Sequence, residues 1–276
     1  MEFIRVFARK TNMTPDDEYS FFDIPPFKEF LPSFDEVHIV VVFTWDIERG
    51  KQLQQAWQDV TDKPVRIGGP AFDDPCTGEF VLGRYVKNGV IFTSRGCPNS
   101  CKFCLVPRRE GKIRECEIKE GNIIQDNNFL ACSKEHRQKV YDMLKTQRQI
   151  SFRGGLEPSR LTDWDIEEMR GLKISDVWLA CDTKNSIKNL QLACDRLHQA
   201  GFNQNKIRCY VLIGDDMQEN ENRLTAVFMA GALPFAQLFQ PPEWIEYSKE
   251  WKRFARTWSR PAAYKAHIRG EHLESK

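Results

Sequence analysis

Three of the nine cysteines in this 276-residue chain lie within eight consecutive positions. They are Cys97, Cys101 and Cys104 in the stretch GCPNSCKFC, so three residues separate the first pair and two residues separate the second. Cysteine thiolates at such short spacing are typical ligands of zinc or of an iron–sulfur cluster. The question is which of these centres needs three thiolates, and not two or four.

Structural zinc takes four ligands, usually from two Cys-x-x-Cys pairs or from one such pair and two histidines. No second pair and no His-x-x-x-His follows the motif here. A cubane 4Fe-4S cluster on three cysteines leaves one iron without a protein ligand, where a substrate or cofactor can bind. The ligand number favours the cluster, but a non-catalytic zinc-binding module completed by a distant residue and three unliganded thiols stay open.

The spacing, with Phe103 before the third cysteine and Gly96 before the first, resembles the signature of radical S-adenosylmethionine (SAM) enzymes. The resemblance implies that SAM supplies the missing iron ligands through its amino and carboxylate groups. It also implies one-electron cleavage of SAM to methionine and a 5'-deoxyadenosyl radical, which abstracts hydrogen from a substrate that the sequence does not identify. An electron donor such as a flavodoxin or a ferredoxin is then an expected partner.

Short apolar runs alternate with amphipathic stretches through the centre of the chain, which predicts a parallel α/β sheet. Six strands are predicted, over 89–94, 122–129, 149–157, 175–182, 206–214 and 234–240. Four helices are predicted between the later strands, over 134–147, 162–172, 187–201 and 220–231. Radical SAM enzymes resemble one another as partial (β/α)6 barrels with the cysteine loop after the first strand, and we expect this fold for residues 76–242.

Side chains at the carboxyl ends of parallel strands converge on one site in barrels of this kind. By resemblance, Asp126 and Asn127 would bind the methionyl amino group of SAM, and Glu157 with Arg160 would bind its ribose or carboxylate. The resemblance implies further SAM contacts, some of them to adenine, by Phe103, Asp182, Ile213 and Gly214. The plainer interpretation of each position is a helix cap or a turn glycine.

Residues 1–75 contain a strong strand at 37–43, an amphipathic stretch at 47–57 and a short strand at 64–70 that ends in a glycine turn. This β-α-β order before such a barrel resembles a cobalamin-binding (B12) domain of reduced size. The cobalt-ligating pattern Asp-x-His-x-x-Gly is missing, because His38 has no glycine at the required offset. We therefore expect a core histidine and no bound cobalamin.

The last segment, residues 243–276, is predicted to be one amphipathic helix packed on the barrel. Trp244, Trp251 and Trp258 are seven residues apart, so all three would face one surface. Arg253 and Arg256 belong to a basic outer face, which is either solvated or receives a phosphate-bearing substrate.

The composition limits the partners and the location of the protein. A net charge of +1 does not favour a nucleic-acid partner. An enzyme that modifies a nucleotide or a nucleic acid stays open through the basic tail and through Arg108 and Arg109 after the cysteines. The charged N-terminus and the lack of a run of about 18 apolar residues predict a cytoplasmic protein without a membrane span. In that reducing compartment, the scattered cysteines are expected to be buried thiols.

Overall fold

The computed structural model describes residues 2–74, 76, 81–241 and 244–270. The chain divides into two compact units, Met1–Val90 and Ile91–Lys276. The boundary therefore lies at residue 90 and not at the expected residue 75. The reason is that Tyr85 still packs within unit 1, where its ring lies 6.4 Å from the ring of Phe3.

The described part of unit 1 contains one α-helix and four strands. These are β1 (Phe3–Phe7), β2 (Ser20–Phe21), β3 (Glu36–Val40), α1 (Ile47–Gln58) and β4 (Val65–Gly68). The strands form a parallel sheet in the order β2-β1-β3-β4. The predicted β-α-β order corresponds to β3, α1 and β4. We did not predict β1, although buried Ile4 and Val6 alternate with Arg5 there, as is typical of a strand.

His38 lies in β3 and is 1% exposed. Its Nδ1 lies 3.0 Å from the hydroxyl oxygen of Tyr85, and its ring stacks on Phe3 with 4.6 Å between the ring centroids. Burial lowers the pKa of His38, because the charged imidazolium is disfavoured away from water. These contacts are those of a histidine that packs within unit 1.

The strands of unit 2 are β5 (Val90–Ile91), which begins at the division between the units, β6 (Ser94–Arg95), β7 (Arg114–Glu115), β8 (Ile123–Ile124), β9 (Ile150–Leu156), β10 (Ile174–Ala180), β11 (Ile207–Ile213) and β12 (Leu233–Leu238). Its helices are α2 (Val106–Arg109), α3 (Lys134–Leu144), α4 (Asp163–Arg170), α5 (Ile187–Gln199), α6 (Met217–Met229), α7 (Lys249–Trp258) and α8 (Pro261–Ile268).

A six-stranded sheet has the order β12-β11-β10-β9-β8-β5, and its described pairings are parallel. The six predicted strands and the four predicted helices are all present, which confirms the α/β class. The first two strands are much shorter than predicted. After Ile91 the chain continues into the β6–β7 pair, and after Ile124 it leads to a 3-10 helix at Phe129–Ala131.

The main core lies between this sheet and its helices. Phe152, Val177 and Cys209 are at most 1% exposed and belong to one cluster with residues of α3 to α6. Parallel strands followed by helices bury one face in this way. None of the described helices combines the length and the hydrophobicity of a membrane span.

The tail forms two helices, α7 and α8, and the prediction of one helix was wrong. Pro261 lacks a backbone donor and disfavours helical geometry at the preceding residue. Arg260 is accordingly extended, with φ −121° and ψ 111°. Trp258 is completely buried and stacks on Tyr264, with 5.8 Å between the ring centroids. Trp244 precedes α7 and is 60% exposed, so the three tryptophans do not share one buried face. Residues 243 and 271–276 lie outside the described part of the chain.

We expect Trp258→Ala to lower the free energy of unfolding by about 3–5 kcal/mol, because it removes a large, fully buried side chain. Trp244→Ala is the matched control and should change the free energy of unfolding by no more than about 0.5 kcal/mol. Urea unfolding of both variants measures the difference. Equal stability of the two variants would show that α7 is not docked through Trp258.

Candidate functional site

The three cysteines lie on a loop that β6 and β7 close at its base. The two strands pair antiparallel, with Arg95 opposite Arg114, and Arg95 forms an ion pair with Glu110 inside the loop. Gly96 has a φ of +84°, and a Cβ at this position would clash with the carbonyl oxygen of Lys112. A glycine before the first cysteine is therefore required for the two ends of the loop to approach each other.

Two backbone hydrogen bonds shape the cysteine loop. The N–H of Cys97 donates to the carbonyl oxygen of Gly111 at 3.1 Å, and that of Cys104 donates to the carbonyl oxygen of Cys101 at 3.0 Å. Cys97 and Cys104 are half-buried, and Cys101 is exposed. Partial burial and the nearby thiols of Cys104 and Cys97 raise the pKa of Cys101. The three sulfur atoms are thus close enough to interact electrostatically.

All nine cysteines are free thiols, so the three in the loop are available as donors. In the described part of the chain, no three His, Cys, Asp or Glu side chains are grouped as ligands of one metal ion. A cubane does not require such a group, because each thiolate ligates a different iron. A hydrogen-bond donor also faces the loop, since Nδ2 of Asn128 lies 3.5 Å from Sγ of Cys97. The donor set therefore fits a cluster held by three cysteines.

Glu157, directly after β9, accepts hydrogen bonds from four side chains. Its Oε2 accepts from Nδ2 of Asn128 at 2.8 Å, from Nδ2 of Asn99 at 2.9 Å and from Nε of Arg160 at 2.7 Å. Its Oε1 accepts from the hydroxyl of Ser159 at 2.8 Å. Burial opposes the charge of Glu157, but these bonds outweigh burial and hold its pKa below the ordinary value. This carboxylate joins the cysteine loop to the ends of β8 and β9.

Asp126 does not fit the expected contact with a methionyl amino group. It is 2% exposed, and its Oδ1 accepts from the N–H of Thr93 at 2.6 Å. Its Oδ2 accepts from the hydroxyls of Thr93 and Ser94 at 2.6 and 2.8 Å. Burial raises the pKa of Asp126, against the effect of these bonds. The side-chain oxygen of Asn127 accepts from the N–H of Gly96 at 3.0 Å. Asp126 and Asn127 therefore both bind residues at the start of the cysteine loop.

Asp182 lies two residues after β10, whereas the sequence placed it at the end of that strand. Its Oδ1 accepts from the N–H of Leu212 at 2.9 Å, and burial raises its pKa. The charges of Asp182 and Glu157 add to the causes that raise the pKa of Cys101. Both carboxylates therefore lie on the side of unit 2 that carries the cysteine loop.

Ile213 and Gly214 lie at the carboxyl end of β11, where the tail reaches the sheet. Ile213 is buried, and a Cβ at Gly214 would clash with the hydroxyl of Tyr247. That hydroxyl donates to the carbonyl oxygen of Phe239 at 2.5 Å. Any group that binds over Gly214 would therefore also contact the Tyr247 ring.

The other predicted residues lie on the loop or on the tail. Phe103 is half-buried in the turn between Cys101 and Cys104. Arg108 and Arg109 end the short helix α2 that follows the cysteines. The remaining two, Arg253 and Arg256, are exposed on α7.

The sequence analysis missed Asn99 and Asn128, which connect the loop to Glu157. Asn99 lies inside the cysteine motif and Asn128 directly follows two residues that we did select, so their positions were the available signal. The sequence analysis also missed three aromatic rings on the face of the six-stranded sheet that lies opposite the helices. Trp178 stacks on Tyr210 with 4.5 Å between centroids, and both contact Phe235 edge-on.

No protein-family profile and no curated protein sequence matches the chain. Solved structures do match, and two of them are of a radical SAM methyltransferase. Both are structures of TsrM from Kitasatospora setae. The structure with cobalamin and a [4Fe-4S] cluster bound has a TM-score of 0.61 and 12% identity, covering 86% of this chain and 74% of that chain.

A second TsrM structure, with tryptophan substrate and the SAM analogue aza-SAM bound, has a TM-score of 0.59 and 12% identity. This match covers 86% of the present chain and 72% of the TsrM chain. Unit 2 is about two thirds of the chain, so both matches extend into unit 1. At 12% identity, the likeness shows the fold alone.

We expect Glu157→Gln to lower the free energy of unfolding by about 1.5–3 kcal/mol, because an amide cannot accept from all four donors. The pKa of Glu157 is held below its ordinary value of 4.5, so its stabilising contribution is complete above pH 4.5 and is lost as the pH falls through the folded-state value. The difference between the wild type and the variant should therefore shrink below pH 4.5.

The matched control is Glu167→Gln, because Glu167 is a surface residue of α4 whose described ion pair, to Arg170, is exposed. Denaturant titrations at pH 7 and pH 4 should leave this control within about 0.5 kcal/mol of the wild type. A Glu157→Gln protein as stable as the control would contradict the importance of the carboxylate.

Proposed function

We propose that this chain is a radical SAM enzyme whose Cys97, Cys101 and Cys104 hold a 4Fe-4S cluster at the mouth of a partial (β/α)6 barrel. The observation that carries the proposal is the cysteine loop, which Glu157 joins to the carboxyl ends of two neighbouring strands. The likeness of the fold to a radical SAM methyltransferase supports it. Catalytic sites of parallel barrels lie at this end of the strands.

When bound, the cluster supplies one electron to SAM, and the cleaved SAM supplies a 5'-deoxyadenosyl radical that removes hydrogen from the substrate. The residues of this chain position the partners. Glu157 orients the loop through Asn99 and Asn128. Arg160 uses Nε for Glu157, and in our proposal its terminal NH2 groups bind the methionyl carboxylate. The charges of Glu157 and Asp182 favour the sulfonium cation of SAM.

Adenine contacts by Phe103, Ile213 and Gly214 belong to the same proposal, with Tyr247 as an added neighbour of the ring. The substrate is not identified. Arg108 and Arg109 on α2 would receive an anionic group if the substrate carries one. Such a substrate, for example a nucleotide, would contact Arg253 and Arg256 only if it reached α7.

We propose a cytoplasmic location and a flavodoxin or a ferredoxin as the electron donor. Both are parts of the same proposal, because a cluster that starts this chemistry must first be reduced.

The test of the cluster is the triple variant Cys97→Ala/Cys101→Ala/Cys104→Ala, purified anaerobically. We expect the wild type to contain iron and sulfide and, after reduction by dithionite, to convert SAM to 5'-deoxyadenosine slowly without substrate. The triple variant should contain neither iron nor this activity. Metal analysis and chromatography measure both.

The control is Cys116→Ala, because Cys116 is a half-buried thiol just outside the loop. It should keep the iron content of the wild type. One zinc and no iron in the wild type would instead identify the zinc-binding module, and intact SAM beside a reduced cluster would indicate a binding protein without catalysis.

We also predict that the chain does not bind cobalamin tightly. His38, the histidine of unit 1, is buried in β3 against Phe3 and Tyr85, where it cannot reach a cobalt without unpacking. After incubation with hydroxocobalamin and gel filtration, the absorbance of the protein fraction should show no corrin. TsrM, whose structure contains cobalamin, is the positive control. Stoichiometric corrin in the fraction would overturn the prediction and favour methyl transfer.

A further inference from the structure

Asn128 lies between the cysteine loop and Glu157. It lies four residues after the end of β8 and is 3% exposed. Its Nδ2 donates to Oε2 of Glu157 at 2.8 Å and to Sγ of Cys97 at 3.5 Å. A side-chain amide nitrogen carries two hydrogens, so each of these acceptors receives one of them.

The orientation of the amide follows from these two acceptors. Oδ1 of Asn128 is buried and has no hydrogen-bond partner within the described chain. Rotating the amide by half a turn would place this oxygen against a carboxylate and a sulfur, which are both electron-rich. A buried oxygen without a partner costs free energy. The bonds of the nitrogen to Glu157 and Cys97 therefore decide the orientation.

A donor that is held against a cysteine sulfur affects the charge that the sulfur can carry. Hydrogen bonds to the sulfurs are among the factors that set the reduction potential of an iron–sulfur cluster. Reduction adds one negative charge, and an N–H directed at a ligand sulfur stabilises that charge. The effect is stronger in a site from which water is largely excluded, as around Asn128.

We infer that Asn128 is a positioning residue that holds Cys97 through an N–H···S bond and raises the reduction potential of the cluster. The inference rests on the proposed function. It concerns how readily the cluster accepts its electron, and it assigns Asn128 no contact with SAM or substrate.

The structure offers a matched pair of variants. Asn99 and Asn128 donate to the same oxygen of Glu157, at 2.9 and 2.8 Å, but the described sulfur contact belongs to Asn128. Asn99→Ala thus removes a Glu157 bond alone, whereas Asn128→Ala removes a Glu157 bond and the sulfur bond. The comparison separates an effect on sulfur from a loosening of Glu157.

The experiment is a dithionite titration of the anaerobic, cluster-loaded full chain, followed by electron paramagnetic resonance. We expect Asn128→Ala to lower the equilibrium constant for one-electron reduction about tenfold, a fall of about 59 mV in midpoint potential. Asn99→Ala should keep the wild-type potential. If the Asn128→Ala protein does not load a cluster, Asn128→Ser replaces it with the same expectation, because the serine hydroxyl is too short to reach the sulfur.

Three results would overturn the inference. The first is a wild-type potential in a fully loaded Asn128 variant. The second is an equal shift in the Asn99 and Asn128 variants, which would assign the effect to Glu157. Both leave the proposed function intact. The third is a wild-type protein without an iron–sulfur cluster, which would overturn the proposed function and the inference with it.

Discussion

The carboxylate of Glu157 holds together parts of unit 2 that share no regular structure. The loop between β6 and β7 contains one four-residue helix, and few buried side chains anchor it. An ordered loop of this kind needs specific bonds to offset its conformational entropy. Glu157 provides them, because one charged group accepts from Asn99 in the loop and from Asn128 after β8. Charge-assisted bonds are stronger than those between neutral groups.

A second carboxylate, Asp126, has a different task. Its bonds to Thr93 and Ser94 hold the chain between the end of β5 and the start of the cysteine loop. Asp126 is buried and its pKa is raised, whereas Glu157 is partly exposed and its pKa is lowered. The difference arises because burial dominates at Asp126 and hydrogen bonds dominate at Glu157. Asp126 thus secures the chain that enters the loop, and Glu157 secures the first part of the loop at Asn99.

The parts of the fold that could be predicted are those that neighbouring residues in the sequence determine. The six strands and four helices of the sheet follow from apolar runs and from caps such as Thr162, whose side chain accepts from the N–H of Asp165. Pro261 was visible in the sequence, and the break between α7 and α8 could have been predicted from it. The end of unit 1 could not be predicted in this way, because it depends on Tyr85, which packs against a residue far away in the chain. The same holds for Asn128, whose partners Cys97 and Glu157 are 31 and 29 positions away.

The cysteine loop concentrates groups that become negative, and this constrains what can occupy it. Cys101 lies near two other thiols and near the carboxylates of Glu157 and Asp182, and its pKa is raised by burial and by their charges. Three thiolates at this place would repel one another and the carboxylates unless a positive centre lay between them. A metal centre bound there would compete with protonation of the thiols and would contribute to the order of the loop. In the proposed function the positive charge comes from the iron of the cluster and from the sulfonium of SAM. The neutral donors Asn99 and Asn128 fit this arrangement, because both stabilise the carboxylate of Glu157, and Asn128 also the sulfur of Cys97, without repelling either cation.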